Sequence, residues 1–253
     1  MRKILVFIFV GFCLVTQAQT EVNFVKEIEK AHNAKNFHKH DLVSFDIDLV
    51  FGGKSSLKGK MISSTNSNKI KLIKEDGTVI VFDGDKVWIT PAENNTVRAR
   101  FDVFTWQYFF MATFKLSDNG TNWKDLGKQT YIANQQLYAA ELTFDKGTGD
   151  ASGDYYIVYK DDANLIKGMG YIVTFGGKSL AEAEKNAHAI VYSDYLKHDG
   201  VSFPRKWTFH NWNKISGISN EIGEAKITNI KFLKNTDVDF DKPIKAEEVK
   251  LNN

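Results

Sequence analysis

Cysteine, proline and net charge are all scarce in this chain, and each shortage excludes something. The one cysteine, Cys13, lies inside an apolar run, ILVFIFVGFCLV (Ile4 to Val15), that follows the basic start Met1-Arg2-Lys3. A basic start, an apolar stretch and a small-residue site are the parts of an export leader, and the run is far shorter than the about 20 residues that span a bilayer. Thr16 and Ala18 fill the small positions of the cleavage site, so residues 1–18 read as a signal peptide and 19–253 as one domain. Bulky Phe12 is a poor neighbour for a lipid-modified cysteine, so Cys13 is expected to leave with the leader. The rest of the chain then has no cysteine, which excludes disulfides, thiolate nucleophiles and cysteine-ligated zinc or iron–sulfur clusters.

Removing Arg2 and Lys3 leaves 31 basic against 31 acidic residues, interspersed along the chain. A nucleic-acid binder shows a basic excess or stripe, and none is present. No later run reaches transmembrane length. The expectation is a monomer exported to the periplasm or beyond, from a Gram-negative bacterium. With only three prolines and no Ser/Gly linker, nothing divides the chain, and β-sheet units of this size are commonly single domains. Aromatic residues are abundant instead, at 13%, and must be packed or used.

Glu21 to about Phe37 reads as an amphipathic helix: Thr20 is a suitable N-cap, and Val22, Val25, Ile28 and Ala31 recur at helical spacing. From Leu42 the period changes to two, with Val43, Phe45, Ile47, Leu49 and Phe51 alternating with polar residues as in a half-buried antiparallel strand. Further strands are expected at LKGKMIS, KIKLI, TVIVF, KVWIT, VRARFDV, QTYIA, QLYAAELTF, DYYIVYK, NLIKGMGYIVTF, HAIVYSDYL, VSFPRKWTFHNW and IGEAKITNIKFL, with a short helix in SLAEAEKNAH. The Asp83-Gly84, Asp76-Gly77 and Asp199-Gly200 pairs mark tight turns, where glycine takes the positive φ. The sum is mainly β with a few helices: about eleven antiparallel strands that, because twist accumulates, curl into an open or closed barrel.

One stretch behaves differently. FDVFTWQYFFMATFKLSD (Phe101 to Asp118) is apolar on nearly every side of a helical wheel, so it cannot sit exposed to water. It reads either as a helix plugging the sheet or as a lid over a cavity for an apolar ligand. Phe104, Trp106, Tyr108, Phe109, Phe110, Met111 and Phe114 are its candidate cavity residues. Trp88 in KVWIT and Trp207 in SFPRKWTFHNW join them from the strands.

At VIVFDGDKVWITPA (Val79 to Ala92) the chain resembles the LolA/LolB-like bacterial lipoprotein carriers, whose hairpin pairs an Asp-Gly turn with a strand bearing Trp or Tyr. DYYIVYKDDANLIKGMGYIVTF is similar to their long hairpin with a short polar turn, and DGVSFPRKWTF to the Gly- and Pro-bearing strand that follows. The resemblance implies a half-open antiparallel barrel wrapped round an N-terminal helix and a hydrophobic helix, with an apolar cavity for acyl chains and no catalytic residues. This chain is longer, carries the aromatic-dense segment, and shows no arginine that clearly matches the carriers' functional one.

Other chemistry finds little support. Asp145, Asp150 and Asp154 in DKGTGDASGDYY match neither the EF-hand nor the P-loop spacing, and calcium wants six or more oxygens. His38 and His40 are two zinc ligands at most, and His32, His188, His198 and His210 lack partners at ligand spacing. No G-x-S-x-G elbow is present. Three functions remain open: an exported non-enzymatic carrier of a lipid, acyl chain or other apolar molecule, with no cofactor and at most transient membrane or lipoprotein contact; a structural protein whose barrel is filled by its own side chains; and a hydrolase of unfamiliar type.

Overall fold

The computed structural model describes residues 23–96 and 98–251; the expected leader and the Thr20 cap lie outside them. Helical residues 23–32 (α1) and Ala34–Phe37 (α2) precede a run of strands: β1 (Leu42–Phe51), β2 (Lys54–Ser64), β3 (Ile70–Lys74), β4 (Val79–Phe82) and β5 (Val87–Thr90). The long helix α3 (Arg98–Met111) follows, and then β6 (Thr121–Ile132), β7 (Gln135–Phe144), β8 (Tyr156–Lys160) and β9 (Ile166–Tyr171). The chain closes with α4 (Leu180–Lys185), β10 (His188–His198), β11 (Val201–Asn213), β12 (Gly217–Leu233) and β13 (Glu247–Glu248).

All thirteen strands form one sheet. Strands β1 to β5 run as an antiparallel meander, β1 pairs with the far half of β12, and β13 caps the β5 edge. On the other side β6 to β12 pair in sequence except that the β9–β10 connection carries α4. A single parallel contact, Ile218 to Ile132, brings the start of β12 back to β6 and closes a ring of seven strands. The result is a half-open barrel: one end is a ring, the other a fan of strands.

The expected N-terminal helix is interrupted at Asn33, which adopts φ 59°. Asparagine tolerates this left-handed conformation better than most residues. The break is fixed from outside, because Asn33 and Asn36 donate side-chain hydrogen bonds to the carbonyls of Gly200 and Asp199 in the β10–β11 turn, at 3.1 and 2.7 Å. His32, fully buried, ties α1 to two strands. Its Nδ1 faces the Ser202 carbonyl at 3.0 Å and its Nε2 accepts from the Ile166 N–H at 3.1 Å, so the neutral ring satisfies both. Burial pushes its pKa down to about 4, against the weaker upward pull of the Ser202 carbonyl and Asp161.

Alternation along the strands builds two cores on opposite faces of the sheet. Val43, Phe45, Ile47 and Leu49 of β1 join Tyr156 and Val158 of β8, α1, α2 and α3 in the main core, which the sheet wraps. Ile157 and Tyr159 point the other way, into a second core with Tyr131, Trp212 and Ala183 of α4. That second core exists because the β11–β12 hairpin folds over the sheet. Trp212 lies directly on Gly170, where a Cβ would stand 2.2 Å from the indole. Among the described residues no helix is long and apolar enough to cross a membrane.

Two expectations differ. In the expected strand VRARFDV, residues 98–103 are instead the first turn and a half of α3, and the described residues form thirteen strands where about eleven were expected.

Candidate ligand cavity

Helix α3 is pinned by buried polar contacts. Asp102 is almost fully buried, yet its carboxylate accepts from Lys74 of β3 at 2.8 Å and from Trp106 Nε1 at 3.3 Å, with Arg98 3.6 Å away one turn earlier. Gln107 donates to the hydroxyls of Ser63 and Ser67 at 3.0 and 2.8 Å, and Tyr192 donates to the Phe109 carbonyl at 2.7 Å. A segment held this way at both ends is a wall rather than a free flap.

The helix has two apolar faces. Ala99, Val103, Trp106 and Phe110 recur at i, i+4, i+7 and i+11 and are buried in the main core, where Phe110 stacks between Phe45 (3.8 Å) and Phe203 (5.3 Å). Phe101, Phe104, Thr105 and Tyr108 recur at i, i+3, i+4 and i+7 and are only partly buried, because they line a cavity of about 560 Å³. The facing wall is Phe144 of β7, Tyr156 of β8 and Tyr171 of β9, continued by Val173 and Phe175. Phe82 and Ile70 close the side toward the fan. This volume is within the roughly 300–1,000 Å³ of small-molecule sites.

Two ion pairs stand at the rim. Arg100 meets Asp150 through two hydrogen bonds of 2.8 and 2.9 Å, reaches the Val249 carbonyl at 3.2 Å, and lies 5.3 Å over the Phe104 ring. Lys115 pairs with Asp118. Asp154 is the lining carboxylate with a raised pKa: burial raises it, and donation from the Thr174 N–H and hydroxyl only partly offsets this. Burial likewise raises the phenols of Tyr108, Tyr156 and Tyr171, helped at the first two by the charge of Asp154.

Of the nine residues marked from sequence, Phe104, Tyr108 and Phe109 line this cavity. Trp106, Phe110, Met111 and Phe114 belong to the packed core behind it, as does Trp207, whose indole is fully buried edge-on to Tyr192. Trp88 lies elsewhere, between the ammonium groups of Lys86 and Lys242 at 5.7 and 4.4 Å.

No family model and no curated protein matches the sequence. Solved structures do match. A LolA superfamily protein from Nitrosomonas europaea superposes with a TM-score of 0.56 at 14% identity, covering 86% of this chain and 97% of its own. A domain named as an outer membrane lipoprotein-sorting protein, from Vibrio parahaemolyticus, gives 0.54 at 13%, covering 87% and 96%. A DUF1329 family protein from Desulfovibrio piger gives 0.50 at 13%, covering 82% and 92%. The fold is LolA-like.

On this LolA fold the Asp83-Gly84-Asp85 hairpin is a turn whose carboxylate is already committed. Asp83 Oδ1 accepts from the N–H groups of Asp85 and Lys86 at 2.9 and 2.8 Å, and Oδ2 from Trp88 Nε1 at 2.6 Å. Burial would raise its pKa, but these donors outweigh it and hold the group ionised below the usual value. The three loop aspartates are separated in the same way: Asp145 holds Asn122, Asp150 holds Arg100 and Asp154 holds Thr174. Among the described residues no three His, Asp or Glu side chains converge as a metal site.

The sequence reading missed the opposite wall of the LolA-fold cavity and its arginine. DYYIVYK is buried on both faces, so alternation alone could not say whether Tyr156 or Tyr155 faces α3. Arg100 was hidden inside an expected strand. Its signal was the pair Arg98 and Asp102, one helical turn apart, which marks a helix start that the alternating apolar residues concealed.

Proposed function

We propose that this protein is an exported, non-enzymatic carrier or binding protein that holds a lipid, acyl chain or other apolar molecule between α3 and strands β7 to β9. The observation that carries the reading is the second apolar face of α3. Phe101, Phe104 and Tyr108 are spaced to bury together, yet they face a cavity of about 560 Å³ instead of packed side chains. A sheet filled wholly by its own aromatics would have spent that face on the core, which is what Trp106 and Phe110 do.

The LolA-like fold supports a carrier, and one of the structural neighbours is named as an outer membrane lipoprotein-sorting protein domain. The leader at residues 1–18 supports export to the periplasm or beyond of a single monomeric domain, with transient contact to a membrane or lipoprotein during loading. The binding force is desolvation. At about 25 cal/mol per Å², burying about 300 Å² of chain contributes on the order of 7 kcal/mol before ordering costs.

Native mass spectrometry of protein purified without detergent tests this. Bound lipid, lost when Thr105→Trp fills the cavity, is the expected result. A consistently bare mass, with no uptake of acyl probes by the unaltered chain, would remove the proposal.

A further inference from the structure

The chain has nine tyrosines, and their hydroxyls divide sharply. Tyr131, Tyr155, Tyr159, Tyr192 and Tyr195 each donate to a named acceptor: the Lys167 carbonyl, Glu184, and the carbonyls of Thr130, Phe109 and Ile166. Tyr138 is exposed to water. The other three are Tyr108, Tyr156 and Tyr171, and among the described residues none of their hydroxyls has a hydrogen-bond partner. These same three line the cavity. Their rings are grouped, with centroids 5.3 Å apart for Tyr108 and Tyr156 and 6.2 Å for Tyr156 and Tyr171. Among the described residues none of the three is a sealed unsatisfied group, so each hydroxyl opens to the cavity, where a bound molecule that displaces water must offer it a matching polar atom.

The charges around them set the kind of partner. The lining cations are Arg100, committed to Asp150, and Lys115, committed to Asp118. The lining carboxylates of Asp85 and Asp154 have no ion-pair partner among the described residues. An anionic head would therefore meet acids and no available cation, whereas a neutral oxygen would meet three donors.

We propose that the cavity selects a single-chain amphiphile with an uncharged oxygen head, an ester or hydroxyl received by the hydroxyls of Tyr108, Tyr156 and Tyr171, over one ending in carboxylate or phosphate. This rests on the cavity being an apolar-chain site. The acyl chain supplies affinity along Phe101, Phe104 and Phe144, and the phenols supply orientation and selectivity.

The test is a displacement titration at pH 7.5 on the full delipidated protein carrying a neutral fluorescent acyl probe. Monoacylglycerol and free fatty acid of equal chain length, both below their aggregation thresholds, are the competitors. Monoacylglycerol should displace the probe at least tenfold more tightly. Tyr108→Phe with Tyr156→Phe should shrink that advantage about tenfold. The comparison on unaltered protein stands whether or not the variant folds. Equal or tighter fatty-acid binding overturns the headgroup inference while leaving the carrier reading intact. Failure of probe and both competitors to bind overturns both.

Discussion

Phe110 and Phe104 occupy the two faces of one helix, and truncating each separates packing from binding. Phe110 is 1% exposed and sandwiched between Phe45 and Phe203, so Phe110→Ala leaves a core cavity and should cost about 3–5 kcal/mol. Phe104 is only partly buried, with an edge contact to Phe82 at 5.1 Å and Arg100 above it. Half of a phenylalanine's burial is worth about 1 kcal/mol, and these contacts add about 0.5–1, so Phe104→Ala should cost about 1–2 kcal/mol. Binding should rank in the opposite order. Removing about 40 Å² of ligand contact at about 25 cal/mol per Å² loses about 1 kcal/mol, roughly fivefold in Kd for an acyl probe. Urea unfolding gives the stabilities, and probe titration in buffer, where both variants stay folded, gives the affinities. Equal stability losses, or weaker probe binding by Phe110→Ala than by Phe104→Ala, would refute the assignment of the two faces.

Two further perturbations probe the frame that holds the cavity. The depressed pKa of His32, from 6.5 to about 4, means that the unfolded chain takes up the proton first as pH falls. Its contribution is full above pH 6.5 and lost progressively down to about pH 4, a swing of about 3 kcal/mol. Urea unfolding between pH 7 and 4 should show this extra slope in the unaltered protein and not in His32→Gln; identical slopes would contradict the buried neutral ring. Asp102→Ala strands Lys74 in a largely buried site and should cost about 3 kcal/mol or more, whereas Arg98→Ala, at an exposed partner, should cost less than about 1. Comparable losses in thermal and urea unfolding would show that Asp102 is not the anchor.

Much of the sheet was legible because its strands obey simple rules. Period-two alternation marked β1, and the Asp-Gly pairs at 76, 83 and 199 marked turns whose glycines adopt φ of 87°, 108° and 75°. The short helix expected in SLAEAEKNAH is α4, which a Ser179 and Glu182 capping box starts. What failed was decided by contacts distant in sequence. Val97, Ala99, Phe101 and Val103 alternate like a strand, but Asp102 is drawn to Lys74 on β3, and that contact together with Arg98 and Trp106 favours the helix. β13 is the acidic pair Glu247 and Glu248, with no strand signal; it pairs with β5 where Val249 enters the core.

The cavity was half legible. An aromatic helix beside a sheet announces that something greasy must be covered, but not which face. Once α3 is known to start at Arg98, the set Phe101, Phe104, Thr105 and Tyr108 can be read as one stripe. Of its opposite wall, Tyr156 and Tyr171 come from β8 and β9, which are buried on both faces, so only the closure of the ring decides which residues turn toward α3. The β11–β12 hairpin is responsible, since by covering the outer face it removes the polar alternation that would otherwise have identified the inner one.

The claim that α3 and strands β7 to β9 enclose a ligand site is tested most directly by crystals grown with an acyl probe brominated near its tail. Anomalous scattering between Phe104, Phe144 and Tyr156 is the predicted result. Bromine bound only on the outer surface, or a refined structure in which these rings meet and no space is left, would contradict it.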